Sequence, residues 1–317
     1  MIHVKPSWAI WAFVLLLLPQ PLRADDGSYA IEAGQKLTAQ ETCQRIGTKL
    51  GSVSIQDCIK QNLRLTGAYS VNGIPILMKE YPPLKRRKPK GRILVLGGIH
   101  GDEYSSVSIS FRWLEKLNKH HSGLFHWHVV PLTNPDGLLQ KKSVRMNARG
   151  VDLNRNFGTP GWEAEATDYW ENRTFKDPRR YPGPNPLSEP ESRWIAQEIE
   201  AFQPDVIVSI HAPYGLLDFD GPPQDPPKKL GSLYLSPLGT YPGSLGRYAG
   251  MYKKIPIITI ELKYAGIMPS KREIRNIWMD LVRWLNRNVQ PSTQKVGGQY
   301  DPILDPINPA SWEESLS

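Results

Sequence analysis

Four residues stand where short apolar runs give way to turn residues: His100, Glu103, His211 and Glu261. Imidazole nitrogens and a carboxylate oxygen together suit zinc. A catalytic zinc site of the His2Glu type uses three protein ligands and leaves a fourth position for water. Bound there, zinc polarises a carbonyl and brings the pKa of water to about 7. Such chemistry needs one more carboxylate to carry protons. His100, Glu103 and His211 are therefore expected to hold one zinc per chain, with Glu261 as general base. Asp102 is a rival ligand, although the His-x-x-Glu spacing suits joint coordination better. The remaining histidines, His120, His121, His126 and His128, cluster around a helix end and the next strand. They could bind a surface metal, but they lack a matching carboxylate and a strand-end setting, and no metal is assigned to them.

These residues require elements that deliver them to one place. Ile93–Leu96 reads as a buried strand ending at Gly97-Gly98, just before His100. Asp205–Ile210 is a second such strand and leads into His211. Ile255–Leu262 is another, with Glu261 near its end. His126–Leu132 also reads as a strand. Between them lie helical patterns: Val107, Phe111, Leu114 and Leu117; Pro190–Phe202; and residues 270–288. Strand-helix alternation points to an α/β domain with a mixed, mostly parallel sheet and helices on both faces. In such sheets, sites gather at the carboxyl ends of the strands. Residues 67–80 alternate as one strand. Residues 135–185 have little periodicity, and a loop of that length is usually functional.

Further bounds come from the ends of the chain and its charge. Hydrophobic residues make up 40% of the 317 residues, so a packed core is expected. Residues 1–24 resemble a signal peptide: Lys5, an apolar run from Trp8 to Leu18, then Ala24. The run is too short for an ordinary membrane span, so no span is expected in the mature chain, with an uncleaved anchor as the alternative. Residues 25–66 read as a small helical lead-in, with Thr38 and Glu41 spaced as a capping box. Residues 67–290 form the expected catalytic domain, and 291–317 a Pro-rich tail. Cys43 and Cys58 are the two cysteines. In an exported chain they are expected to be linked, a bridge contributing about 3 kcal/mol, with two free thiols as the alternative. The formal net charge is +8, partly from Lys85-Arg-Arg-Lys88 and Lys90. No aromatic interleaving accompanies that run, and no nucleic-acid partner is expected.

Five motifs in order resemble the zinc carboxypeptidases of the carboxypeptidase A superfamily: Gly98-Ile-His-Gly-Asp-Glu103, Asn134-Pro-Asp-Gly137, Gly150-Val-Asp-Leu-Asn-Arg-Asn-Phe157, Ser209-Ile-His211 and Thr259-Ile-Glu-Leu262. Within that superfamily the chain is most similar to bacterial murein peptide amidases. The reasons are the Gly-Asp form of the first motif, Leu217-Asp-Phe-Asp-Gly221 and Tyr241-Pro-Gly-Ser244. The resemblance implies that Arg145 stabilises the oxyanion and that Asn154 and Arg155 grip a substrate carboxylate. It further implies that Asp152 orients a zinc histidine or the loop, and that Tyr241 caps the substrate, with Tyr248 and Tyr252 as competitors. Ala212-Pro-Tyr214 departs from the Ser-x-Tyr of digestive enzymes, so their side-chain preferences are not carried over.

The expected activity is hydrolysis of an amide bond in cell-wall peptides, γ-D-Glu–meso-diaminopimelate by resemblance, in the periplasm. One alternative is an aminoacylase of the succinylglutamate desuccinylase or aspartoacylase type. A non-catalytic wall-binding module is another, against which the retention of all four chemical residues argues.

Overall fold

The computed structural model describes Met1 and residues 34–85, 88–222 and 225–289. Apart from Met1, the expected signal peptide and the Pro-rich tail lie outside the described residues, as do Arg86 and Arg87 of the basic run.

Apolar side chains of the central strands divide between two faces. Along β3 (Arg92–Leu96), Ile93 and Val95 enter one core while Leu94 and Leu96 enter the other. Along β5 (Val206–His211), Val208 and Ile210 take the first face and Ile207 the second. Strands covered on both sides read as unbroken apolar runs, which is why their sequences do not alternate. The first face is covered by α1 (Ala39–Lys49), α2 (Ile55–Lys60), α3 (Tyr104–His120) and α7 (Lys271–Asn288). The second is covered by α6 (Pro190–Phe202) and a helical segment, Gly246–Tyr252. Each fully buried aliphatic side chain, such as Leu114 or Leu281, contributes about 1.5–3 kcal/mol.

The seven-stranded sheet has the order β1-β2-β4-β3-β5-β9-β6. Its parallel centre consists of β4 (His126–Val130), β3, β5 and β9 (Ile257–Glu261). Antiparallel strands flank it: β1 (Arg64–Tyr69) and β2 (Pro75–Tyr81) on one side, β6 (Leu216–Asp220) on the other. The two short strands β7 (Lys229–Leu230) and β8 (Leu233–Tyr234) pair separately. The mixed α/β architecture with helices on both faces matches expectation. The single strand expected over 67–80 is instead a hairpin. The turn around Val71–Gly73 breaks it, and Gly73 takes a φ of +78°. The alternation seen there comes from two strands with different burial patterns, β2 being buried on both faces at Pro75–Met78.

Thr38 and Glu41 form the capping box at the start of α1. Cys43 and Cys58 are joined, linking α1 to α2. The aperiodic stretch after β4 carries only α4 (Pro135–Leu138), α5 (Trp162–Asp168) and short helical turns. Buried polar residues hold it in place. Asn156 donates to the carbonyls of Pro182 and Asn185 and accepts from Ser192 and the Glu189 amide. Asn147 donates to the carboxylates of Glu189 and Glu191. A network of this kind fixes a loop without any apolar period.

Candidate metal centre and active site

The sheet order makes the site. β3 connects onward to β4 on one side, and β5 returns on the other, so a crevice opens at the carboxyl ends of β3 and β5. His100 and Glu103 follow β3, and His211 ends β5, in register with Glu261 of β9. Asn134 secures the loop after β3 by donating to the carbonyls of Ile99 and Arg145 while accepting from the Gly137 amide. That brace brings two chain segments into contact. A Cβ on Gly101 would lie 2.1 Å from the Gly137 backbone, so only glycine fits there.

All three expected ligands are buried, and their donor atoms lie within 4.8 Å of one another. His100 Nδ1 is 2.7 Å from Glu103 Oε1 and 3.2 Å from His211 Nδ1, which is itself 3.2 Å from Glu103 Oε2. The outward nitrogens are held from behind. His100 Nε2 faces Asp152 Oδ1 at 3.2 Å, and His211 Nε2 faces Ser209 Oγ at 2.9 Å. Such partners fix the tautomer and turn both Nδ1 atoms inward. Burial pushes the Glu103 carboxyl up, but His100 and His211 outweigh it and hold the group well below the usual carboxylate range. Asp102 is not among the clustered donors, and its carboxylate takes a hydrogen bond from Arg179 at 2.8 Å.

Glu261 is buried, and its Oε2 has no hydrogen-bond partner. Burial raises its pKa, with the nearby Glu103 carboxylate adding to the effect. An orphaned carboxylate oxygen beside two imidazoles and a glutamate fits a zinc site whose solvent molecule it would contact. The donor set itself is of the His2Glu type.

These groups line one cavity of about 490 Å³. Arg145 is buried in its wall, with Nε 3.0 Å from Asp152 Oδ2 and Nη1 3.1 Å from His100 Nδ1. Asp152 thus orients both the guanidinium and His100. Arg155 is also buried, which lowers its pKa to about 10, and its Nε is unpartnered. Asn154 Oδ1 accepts a hydrogen bond from the Leu245 amide. Of the competing tyrosines, Tyr241 lines the cavity, with its ring 4.5 Å from the Arg155 guanidinium. Tyr248 is buried and stacked on Phe157, and Tyr252 buries its hydroxyl. Gly243 explains the Tyr-Pro-Gly-Ser motif, since a Cβ there would lie 1.9 Å from the Arg155 carbonyl oxygen. Arg149 is exposed and paired with Glu189, away from the cavity.

Asp218, Asp220 and Tyr169, to which the sequence analysis above gives no role, also line the cavity. The two aspartates lie on β6, a strand of mixed polarity that no apolar period marks. Burial, with the Asp218 carboxylate beside it, pushes Asp220 up to about 7.

Residues 62–219 match the profile described as zinc carboxypeptidase. Murein peptide amidase A of Escherichia coli (strain K12) is 36% identical over 154 residues, covering 47% of this chain and 59% of that protein. Murein peptide amidase A of Vibrio campbellii is 32% identical over 203 residues, covering 61% of this chain and 76% of that protein. The alignment with the Escherichia coli relative thus spans less than two thirds of its length. Among solved structures, carboxypeptidase A from Helicoverpa armigera superposes with a TM-score of 0.53 at 17% identity, covering 76% of this chain and 69% of that one. That likeness shows a shared fold. By its sequence relatives, its sheet and its buried His2Glu set, the chain belongs to the zinc carboxypeptidase family.

Proposed function

We propose that this chain is a hydrolase that cleaves an amide bond in murein peptides, at γ-D-Glu–meso-diaminopimelate, outside the cytoplasm. His100, Glu103 and His211 would hold the zinc, which supplies Lewis-acid polarisation of the scissile carbonyl and a more acidic water. Glu261 takes a proton at its free Oε2 and returns it to the leaving amine. Arg145, fixed by Asp152, places a guanidinium where negative charge develops on the carbonyl oxygen. Arg155 offers its unpartnered Nε to a substrate carboxylate, and Tyr241 closes the rim over it.

One observation carries the substrate assignment: the charge pattern of the cavity. Arg155 and the Asp218/Asp220 pair face the same space, and among the described residues no cation pairs with either aspartate. A group bearing both a carboxylate and an ammonium satisfies both ends, and the side chain of diaminopimelate is such a group. The names of the two sequence relatives agree with this reading. The signal-like segment and the Cys43–Cys58 bridge support export to an oxidising compartment.

A digest of purified muropeptides by the zinc-loaded chain, read by mass spectrometry, tests the proposal. Release of diaminopimelate-containing peptide from the L-Ala–D-Glu fragment is expected. Intact muropeptides alongside efficient hydrolysis of simple N-acyl amino acids would favour the aminoacylase alternative instead.

A further inference from the structure

Apart from the catalytic set, the described residues hold one other group of metal-ligating side chains close enough to share an ion: Glu80, His126 and His128. The carboxylate that the sequence did not reveal comes from the neighbouring strand. β2 runs antiparallel to β4, and Glu80 stands directly opposite His128. His126 and His128, two apart on β4, project to the same face, the one covered by α6. Both imidazoles turn Nε2 toward Glu80 Oε1, at 2.8 Å from His126 and 3.7 Å from His128. With ligand bonds of about 2.0–2.1 Å, donors around a tetrahedral zinc lie about 3.3 Å apart, within this range.

Two observations separate this cluster from an ordinary hydrogen-bonded patch. First, His128 is 8% exposed, and its Nε2 is buried with no hydrogen-bond partner. Second, its Nδ1 is 2.5 Å from Glu198 Oε1 on α6. A carboxylate on one imidazole nitrogen holds the proton there and leaves the other nitrogen as a lone pair, the arrangement that positions a metal-bound histidine. Phe202, stacked 3.6 Å from the His128 ring and edge-on to His126, locks both orientations. Arg64 approaches the other oxygen of Glu80, Oε2, at 3.9 Å and leaves Oε1 to the histidines.

We propose that Glu80, His126 and His128 form a second zinc site, independent of the catalytic one, with Glu198 as its positioning residue. Two imidazoles and one carboxylate suit zinc and disfavour calcium or magnesium, which take oxygen ligands. His126 aligns with Arg92 at the amino end of β3, whereas the catalytic ligands follow the carboxyl end. The two sites therefore share no residue and no loop. An ion here ties β2 to β4 and, through His128 and Glu198, to α6. Glu80 is partly exposed, so the ion can enter from solvent.

The test is calorimetric titration of metal-stripped full chain with zinc chloride. Wild type is expected to take up two equivalents. Glu80→Gln and His126→Asn are each expected to take up one fewer than wild type while retaining peptide hydrolysis. Glu198→Gln should weaken the second equivalent by roughly 10–100-fold, the usual effect of losing a ligand's supporting partner. Glu198 is no ligand, so that result also serves if a ligand variant folds poorly, which circular dichroism would reveal. Loss of the catalytic equivalent is read separately with His211→Ala, which should keep the edge site. Unchanged stoichiometry in both Glu80→Gln and His126→Asn, or wild-type affinities in Glu198→Gln, would overturn the proposal.

Discussion

Among the described residues, two places bring together two histidines and a glutamate, each with a carboxylate behind one imidazole, but their settings in the fold differ. The cluster of His100, Glu103 and His211 lies at the carboxyl ends of parallel strands, buried in the wall of a cavity. Above it stands a carboxylate oxygen with no partner, and beside it are two buried arginines. The cluster of Glu80, His126 and His128 lies across an antiparallel pair, is partly exposed and faces α6. It has an orienting carboxylate, Glu198, and the nearest guanidinium given for it, that of Arg64, pairs with Glu80 itself. On the two proposals above, the same donors would serve catalysis in one place and cross-linking in the other. What separates them is the neighbouring acid, the cavity and the strand ends, not the ligands.

The sharpest way to break this contrast is to remove one ligand from each site. His211→Ala is expected to abolish measurable turnover and remove the catalytic zinc, as read by metal analysis and peptide hydrolysis. His126→Asn should leave kcat within about twofold of wild type. Equal losses would mean that the sites are not functionally distinct. Next in size is the Cys43–Cys58 bridge, which contributes no atom to either site. Replacing both cysteines by serine is expected to lower unfolding free energy by about 2–4 kcal/mol in a denaturant titration. Zinc stoichiometry should not change.

Arg155→Ala should act mainly through KM. It removes a charged hydrogen-bonding group, typically about 1.5–3 kcal/mol per bond, so kcat/KM is expected to fall about 10–100-fold. A kcat loss without a KM change would move Arg155 from substrate binding to the chemical step. The smallest effect concerns Asp220, whose pKa is raised from 3.8 to about 7. Between those values the folded chain holds a proton that the unfolded chain has released. Stability contributed by this group therefore falls as pH rises through that window, and the cost stays in full above it. Asp220→Asn should be more stable than wild type at pH 8 and equal to it below pH 4. Thermal unfolding at the two pH values checks this. The same variant should bind a diaminopimelate-containing peptide less well.

Much of the clustering at the candidate centre was legible because its parts are local. His100 and Glu103 share one turn, and His211 and Glu261 end apolar runs that only buried strands produce. The parallel centre was legible for the same reason. The hairpin at 64–81 was not, because the alternation runs on through the turn at Val71–Gly73, and β2, buried along Pro75–Met78, shows no polar face of its own to mark where it begins. Asp220 was missed as a site residue because β6 pairs at the far edge, and nothing in its sequence tells which side faces the cavity. The Glu80 site shows this most plainly. Its histidines lie 46 and 48 residues beyond the glutamate, and only the β2–β4 register brings them together.

In the proposed mechanism Glu261 is the proton carrier rather than a ligand. Glu261→Gln keeps shape and hydrogen-bonding capacity while removing the acceptor. Zinc content and muropeptide turnover of this variant, measured on one preparation, test it directly. Full zinc occupancy with kcat reduced roughly 10²–10⁴-fold and substrate affinity little changed is the expected result. Near-normal turnover with zinc retained would contradict the mechanism, even with His100, Glu103 and His211 correctly placed.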